Sequence, residues 1–307
     1  MHTFSISLPA TSANLGPAFD AAAMALDLTL RVEARKAKKF SIVATGRDSA
    51  ICSWVENHLI ISTYKEVLQS EKKVVCPLAL TIANEFPIGK GFGSSAAARL
   101  AGIALAVHFG KLRWSSARII GEASHREHHP DNAAACWMGG VTVARMCAEV
   151  EAQVARFVPK GKWPLLVAIP DESLPTDKAR AVLPNEYSRA DTVANIQNSM
   201  LLLAALFQGD RQMLASSLED RIHQPYRAQL CPLLPALQDF PANSGVLGTV
   251  LSGAGPSVLM FLNPEARAEK TKARVEACLT ERGLKAELLL TSIAKRGGEA
   301  SFRRRSH

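Results

Sequence analysis

One stretch constrains this chain more than any other: Pro87-Ile88-Gly89-Lys90-Gly91-Phe92-Gly93-Ser94-Ser95-Ala96-Ala97-Ala98. Three glycines alternate with other residues, and two serines then lead into an alanine-rich run. Gly91 and Gly93 lack a Cβ, so the backbone can turn tightly and approach a ligand closely. Successive N–H groups can then converge on one anion. Ser94 to Phe109 favours a helix, with Ser94 placed to cap it. A glycine loop feeding a helix N-terminus is a phosphate site. The spacing is neither Gly-x4-Gly-Lys-Ser/Thr nor the Gly-x-Gly-x-x-Gly dinucleotide fingerprint. An ordinary turn before a buried helix would use the same residues, so other segments must decide.

With 307 residues the chain can form two domains and a sizeable core. Apolar residues make up 48% and charged residues 21%, the balance of a soluble globular protein. No run approaches the roughly 18 apolar residues of a membrane span. The start, Met1-His2-Thr3-Phe4-Ser5, has no basic or apolar region of a secretory signal. The six cysteines are scattered without a Cys-x-x-Cys pair, which points to reduced thiols and a cytoplasmic setting. A net charge of +8 comes largely from Arg35-Lys36-Ala37-Lys38-Lys39 and the tail Arg303-Arg304-Arg305. With only 6% aromatic residues and no basic-aromatic stripe, it reads as a solvated surface suited to anionic substrates, not nucleic acid.

Residues 3–8 alternate and predict a strand ended by Pro9. Further strands are expected at Leu26–Ala34, Val74–Ala83, Gly140–Met146, Leu165–Ile169, Val246–Leu251, Val258–Leu262 and Leu284–Thr291. Helices are expected at Ile60–Ser70, Ser94–Phe109, Ser115–Ser124, Asp191–Phe207, Arg211–Leu218 and Glu265–Arg282, the last stopped by Gly283. The mixture lacks a strict βαβ rhythm, so the class is α+β. Pro159-Lys160-Gly161-Lys162-Trp163-Pro164 marks a boundary, giving domains 1–160 and 161–307. Beyond Lys295 a flexible basic end is expected.

Four more segments carry candidate chemistry. In Pro9-Ala10-Thr11-Ser12-Ala13-Asn14-Leu15-Gly16-Pro17-Ala18-Phe19-Asp20, Asn14 and Asp20 could orient an amino group and a hydroxyl, or simply cap their own turn. Glu127-His128-His129-Pro130-Asp131-Asn132 concentrates carboxylates and imidazoles. Zinc through His128, His129 and Asp131 is disfavoured because adjacent histidines point apart, whereas Glu127 suits Mg²⁺. Ser252-Gly253-Ala254-Gly255-Pro256-Ser257 is either a hairpin turn or a second backbone face on the phosphate site. Thr176 and Arg180 share one face of a helix at i and i+4, and Arg227 follows in His223-Gln224-Pro225-Tyr226-Arg227. Arginine forks suit carboxylates.

In this order the segments resemble the GHMP kinase superfamily. Those on the acceptor side, including Thr176-x3-Arg180-Ala181-Val182-Leu183-Pro184, are similar to its homoserine kinase branch. The similarity runs from about residue 3 to residue 262. It implies a two-domain α+β fold: a ribosomal S5 domain 2-like N-terminal domain, a ferredoxin-like C-terminal domain, and a site between them. ATP would lie on Pro87, Ile88, Gly89, Lys90, Gly91, Phe92, Gly93, Ser94, Ser95, Ala96 and Ala97, closed by Gly253 and Gly255, with Asn57 near the adenine. Ser95 and Glu127 would hold Mg²⁺. L-homoserine would meet Asn14, Asp20, Thr176, Arg180 and Arg227, and Asn132, Asp131, His129 and Lys90 would stand at the reaction centre.

The resemblance thus implies ATP-dependent phosphorylation of the L-homoserine hydroxyl, a step of threonine biosynthesis. Such transfer depends on positioning and charge stabilisation. Family habit suggests a homodimer. Another small hydroxy acid as acceptor, or a silent ATP-binding sensor, are the alternatives. Ala18 stands where the family pattern has glycine, at a cost of about 1 kcal/mol if that residue needs positive φ. Ala21-Ala22-Ala23-Met24, Ala133-Ala134-Ala135-Cys136 and Asn198 also depart from the pattern. These changes lie on the acceptor side, not in the phosphate loop.

Overall fold

The computed structural model describes residues 3–241 and 244–303. The first sheet is built from β1 (Phe4–Ala13), β2 (Ala22–Lys36), β3 (Ser41–Gly46), β4 (Leu78–Asn84), β5 (Val141–Ala148) and β6 (Glu151–Phe157). Its order is β3-β4-β2-β5-β6, with β1 also paired to β2. The 15-residue β2 is the spine. It pairs with β1 along its length, with β4 from Leu30 onward, and with β5 through Ala22–Met24.

The accompanying helices are α1 (Ser49–Cys52), α2 (Leu59–Ser70), α3 (Ser94–Gly110), α4 (Ser116–Glu127) and α5 (Asp131–Met138). In α3, Ala97, Leu100, Ala101, Ile103, Ala104, Leu105 and Ala106 are all fully buried. A helix apolar nearly all round must be a core helix. Gly102 brings it close to α2: a Cβ there would lie 2.6 Å from the Ile60 carbonyl oxygen.

The second sheet comprises β7 (Leu165–Ile169), β8 (Val246–Leu251), β9 (Val258–Leu262) and β10 (Glu287–Thr291), in the antiparallel order β10-β7-β9-β8. Between β7 and β8 run α6 (Thr176–Ala181), α7 (Arg189–Gln208), α8 (Arg211–Ser217), α9 (Gln224–Arg227) and α10 (Leu233–Gln238). A single helix, α11 (Ala268–Glu281), joins β9 to β10. This is a ferredoxin-like β-α-β-β-α-β succession whose first crossover has become several helices. Leu165, Val167, Leu202, Leu206, Val250 and Phe261 join the core of the first sheet, so the two sheets share a packed seam. Among the described residues no helix is long and apolar enough to cross a membrane.

Several expectations need correction. β1 does not end at Pro9 but continues to Ala13, because a register shift between Pro9 and Ala10 accommodates the missing N–H. The strand expected from Val74 begins at Leu78. β3, β6 and the short helices α1, α5, α9 and α10 were not among the expected elements. Ser94 is not the cap of α3. Gly93 holds that position in the left-handed region, and the Ser94 hydroxyl accepts the Gly89 N–H at 3.3 Å. Beyond Lys295 the described residues are packed: α12 (Gly298–Arg303) sets Phe302 against Phe4 and Trp137. Arg304 and Arg305 of the expected basic tail lie outside the described residues.

Candidate active site

The glycine loop lies at the seam of the two sheets. Gly89, Gly91 and Gly93 have φ of +71°, +81° and +66°, values that suit glycine. At Gly91 and Gly93 space excludes a side chain as well. A Cβ on Gly91 would lie 2.2 Å from the Ser252 carbonyl oxygen, and one on Gly93 would lie 1.9 Å from Thr11 Oγ1. The Ala97 N–H donates to the Gly93 carbonyl, so Ala97 offers no donor to a ligand. The donors before it, on Ser94, Ser95 and Ala96, have no partner within the helix. They face the macrodipole's positive end, which suits phosphate. Phe92 is fully buried and contributes only backbone, as do buried Pro87 and Ala96.

Two expected phosphate contacts are placed otherwise. The Lys90 ammonium donates to the Pro170 carbonyl at 2.8 Å and does not line the cleft. Gly253 and Gly255 do line it, but their N–H groups donate to Ala13 and Ser252 carbonyls. That turn is therefore a brace. Ser252 Oγ lies 3.0 Å from Ser12 Oγ and donates to the Gly91 carbonyl at 2.7 Å, joining three distant segments.

Beside the loop opens an apolar pocket of about 530 Å³, lined by Ile51, Trp54, Leu59, Phe86, Ile88 and Ala98. Asn57 belongs to its lining, in a left-handed conformation (φ 56°). His58 caps α2 there by accepting the Ile60 N–H, and burial pushes its pKa down. The shape and polarity suit a purine ring.

Where α3 meets the end of α4, Ser95 donates to Glu127 Oε1 at 2.6 Å. Arg99, one turn beyond Ser95, pairs with the same oxygen. Ser95 and Glu127 both line the cleft and offer only oxygen donors, the set a hard divalent cation takes. His128 is exposed while His129 is buried, so the adjacent histidines do point apart. A different group, Asp20, His129 and Asp131, brings potential ligand atoms within 4.8 Å of one another.

The other wall of the cleft is made of side chains. At the start of α5, Asp131 Oδ1 accepts from the Asn132 N–H and meets His129 Nδ1, both at 2.6 Å. Burial opposes protonation of His129, but the Asp131 bond prevails and its pKa is raised. Thr11 donates to Asn132 Oδ1 at 2.6 Å, which leaves the Asn132 amide N–H groups for the cleft. Asn14 is largely a strut: its Oδ1 accepts the Asp20 N–H, and its Nδ2 donates to the Gly253 carbonyl. Thr176 and Arg180 lie one turn apart on α6 and both line the cleft.

Arg180 pairs with Asp20 at 2.6 Å, each side chain about one-third exposed. Arg227 differs. It is 1% exposed, donates to the Ala179 carbonyl and to His223, and has no carboxylate ion-pair partner among the described residues. Burial and the neighbouring Arg180 charge lower its pKa to about 10. A buried guanidinium without an acid is a site prepared for an anion.

Ala18 does not take positive φ; Asn14, Leu15 and Asp20 do. The alanine is buried in the turn and donates its N–H to the Asn14 carbonyl, so the expected strain is absent. Asn195 holds that turn from α7, donating to the Pro17 carbonyl at 2.7 Å. Thr11, Arg99, Asn195, His223 and Ser252 were not singled out from sequence. Only the Ser95/Arg99 helical spacing and the position of His223 four residues before Arg227 could have drawn attention to them.

Residues 58–140 match the family described as GHMP kinases N terminal domain, and residues 202–280 match GHMP kinases C terminal. A homoserine kinase of Solibacter usitatus is 41% identical over 96% of each chain. One from Synechococcus sp. is 33% identical, spanning 95% of this chain and 96% of the relative. The crystal structure of homoserine kinase from Cytophaga hutchinsonii shares the fold, with a TM-score of 0.81 at 22% identity over 97% of this chain and 96% of that one. The two-domain α+β fold is that of the GHMP kinases. Within that superfamily, the chain belongs to the homoserine kinase family.

Proposed function

We propose that this enzyme transfers the γ-phosphoryl group of ATP to the side-chain hydroxyl of L-homoserine, giving ADP and O-phospho-L-homoserine. The observation that carries the acceptor is the acid-free buried guanidinium of Arg227 beside the Asp20–Arg180 pair. An amino acid brings one carboxylate and one ammonium. The carboxylate would complete Arg227 and Arg180, and the ammonium would take over Asp20. The substrate hydroxyl would then reach toward Asn132, whose free amide N–H groups orient it.

The loop donors of Ser94, Ser95 and Ala96 would bind the phosphates, with adenine in the pocket at Asn57. Ser95 and Glu127 would hold Mg²⁺, which when bound supplies charge neutralisation to the transferring phosphoryl group. The new P–O bond forms from the substrate hydroxyl as the bond to the β-phosphate oxygen breaks, and the hydroxyl proton passes to an oxygen of the transferring phosphoryl group. Preorganised donors, rather than a strong base, carry most of such a step. His129 and Asp131 form a hydrogen-bonded pair beside that hydroxyl, and Asp131 fixes the ring. Lys90 is left out of the reaction centre because its ammonium is held at Pro170.

Three buried free cysteines, Cys52, Cys136 and Cys231, support a reducing, cytoplasmic setting. A homodimer is supported by α7, which exposes Val193, Ile196, Met200, Leu201 and Phe207 and carries no charge from Thr192 to Gln208. Such a stripe can pack on its own copy without like-charge repulsion. Light scattering on the wild type and on Met200→Glu tests this, the variant being expected as monomer.

The activity itself is tested by ADP release with Mg-ATP and a panel of L-homoserine, D-homoserine, L-serine, L-threonine, mevalonate, shikimate and pantoate. Turnover with L-homoserine above all others is expected. Turnover on a different compound would keep the kinase and overturn the acceptor.

A further inference from the structure

We propose that His223 is the positioning residue of the carboxylate anchor: one buried ring holds the Arg227 guanidinium on one side and the Gly16 carbonyl of the Asn14–Asp20 turn on the other. The inference rests on the homoserine kinase reading for the identity of the ligand.

Hydrogen-bond chemistry determines the ring's state. A guanidinium has no acceptor, so the Arg227 Nη1–His223 Nδ1 contact at 3.1 Å requires a lone pair on Nδ1. A carbonyl has no donor, so the Nε2–Gly16 contact at 2.8 Å requires a proton on Nε2. Both contacts are satisfied only by the neutral Nε2–H tautomer. A protonated ring would turn an N–H toward the guanidinium and lose that bond. Nε2 also lies 3.5 Å from Asp220 Oδ2, but that carboxylate is engaged by the backbone N–H groups of Ile222, His223 and Gln224. Asp220 therefore fixes the start of α9 and with it the ring.

The same ring connects both anchors. Phe19 stacks on His223 with centroids 5.2 Å apart and planes inclined by 26°. The guanidinium carbons of Arg227 and Arg180 lie 5.2 and 5.5 Å from the Phe19 ring centre. Asp20, the candidate ammonium anchor, directly follows Phe19. Gly16 sits where only glycine fits, since a Cβ there would lie 2.8 Å from the Leu218 carbonyl oxygen. Of the five N–H donors of Arg227, one goes to Ala179 and one to His223. Three remain for a carboxylate. Without His223 the guanidinium keeps one fixed bond and can rotate about it, so its three free donors lose their direction.

The test compares His223→Phe, His223→Gln, Arg227→Met and the double variant His223→Phe/Arg227→Met. Phenylalanine keeps the stack on Phe19 and removes both bonds; glutamine can accept from Arg227 and donate to Gly16. For His223→Phe, KM for L-homoserine should rise about 10- to 100-fold, the range for a lost hydrogen bond to a charged group. Both kcat and KM for ATP should stay within about threefold. His223→Gln should recover most of the loss. The double variant should be no worse than Arg227→Met, because His223 acts through Arg227. An unchanged KM in His223→Phe, or additive losses in the double variant, would overturn the proposal.

A second measurement needs neither turnover nor a stable phenylalanine variant. ¹⁵N NMR of the wild-type ring, identified by its absence in His223→Gln, should show the neutral Nε2–H tautomer. The Nδ1–H tautomer or a charged ring at neutral pH would overturn the hold on Arg227. If the wild type does not turn over L-homoserine, the acceptor reading fails while the tautomer result still decides the role of His223.

Discussion

The two walls of the cleft are built from different materials. The phosphate wall is backbone: glycines at positive φ, free N–H groups at the start of α3, and a loop wedged against Ser252 and Thr11. The proposed acceptor wall is side chain: Asp20, His129, Asp131, Asn132, Arg180 and Arg227, each held by another buried or half-buried group. A backbone wall depends on the absence of atoms, so one added methyl disrupts it. A side-chain wall depends on paired partners, so losing one weakens a single substrate. The walls should therefore fail differently.

The sharpest test of the difference is Gly93→Ala. Its Cβ would meet Thr11 Oγ1 at 1.9 Å and Asn132 Oδ1 at 2.9 Å, at a φ of +66°. The clash strikes the loop and the group proposed to orient the hydroxyl. Turnover should fall at least about 1,000-fold with nucleotide binding also lost, as expected when positioning and charge stabilisation fail together. An ADP-release assay and fluorescent-nucleotide titration, with circular dichroism to confirm folding, would check it. Near-normal ATP binding would break the idea that the loop is rigid.

Arg227→Met should separate the walls. KM for L-homoserine should rise about 100-fold or more, the scale for a buried charge pair losing one partner. KM for ATP should move less than about threefold. Arg180→Met should cost less, since Arg180 is one-third exposed and already paired with Asp20. Equal effects from the two arginines in steady-state kinetics would contradict the division into a buried anchor and an exposed one.

The same contrast explains what could be read in advance. Glycines announce a backbone wall locally: Gly91, Gly93 and the alanine run of α3 are contiguous, and their chemistry needs no distant partner. Leu165–Ile169 was legible for a similar reason, as an unbroken apolar run buried on both faces. The acceptor wall joins segments near residues 14–20, 129–132, 176–180 and 223–227, and resemblance rather than spacing brought those together. What escaped was the layer behind. Thr11 behind Asn132, Ser252 behind Gly91 and His223 behind Arg227 are ordinary residues whose roles arise only when remote strands meet. A lysine in a phosphate loop invites a catalytic role, but the long stem of Lys90 carries its ammonium to the Pro170 carbonyl.

A smaller effect is expected where the walls meet the proposed metal. Arg99 shares Glu127 Oε1 with Ser95, so the carboxylate is already partly neutralised. Arg99→Leu removes that competing cation. Mn²⁺ binding without nucleotide, followed by electron paramagnetic resonance, should tighten by about two- to fivefold, the scale of one partly exposed charge pair. Unchanged or weaker binding would mean that Arg99 orients Glu127 rather than competes for it.

The smallest expected effect lies in the proposed acceptor wall and the layer behind it, where the buried His129 and His223 are shifted in opposite senses. Both have an ordinary pKa of 6.5. Burial lowers that of His223, so below 6.5 the unfolded chain takes up a proton that the folded one refuses. Stability should fall as pH falls from 6.5 toward the lowered value. The Asp131 bond raises that of His129, so its contribution is fully present below 6.5 and is lost as pH rises through the raised value. Together they place a stability maximum near pH 6.5. Thermal unfolding across pH 4.5 to 8.5 would trace it. His223→Gln should flatten only the acid limb, and His129→Asn only the alkaline one. A variant that lowers stability equally at every pH would show that its histidine acts there by packing alone, and would remove titration from the comparison of the two rings.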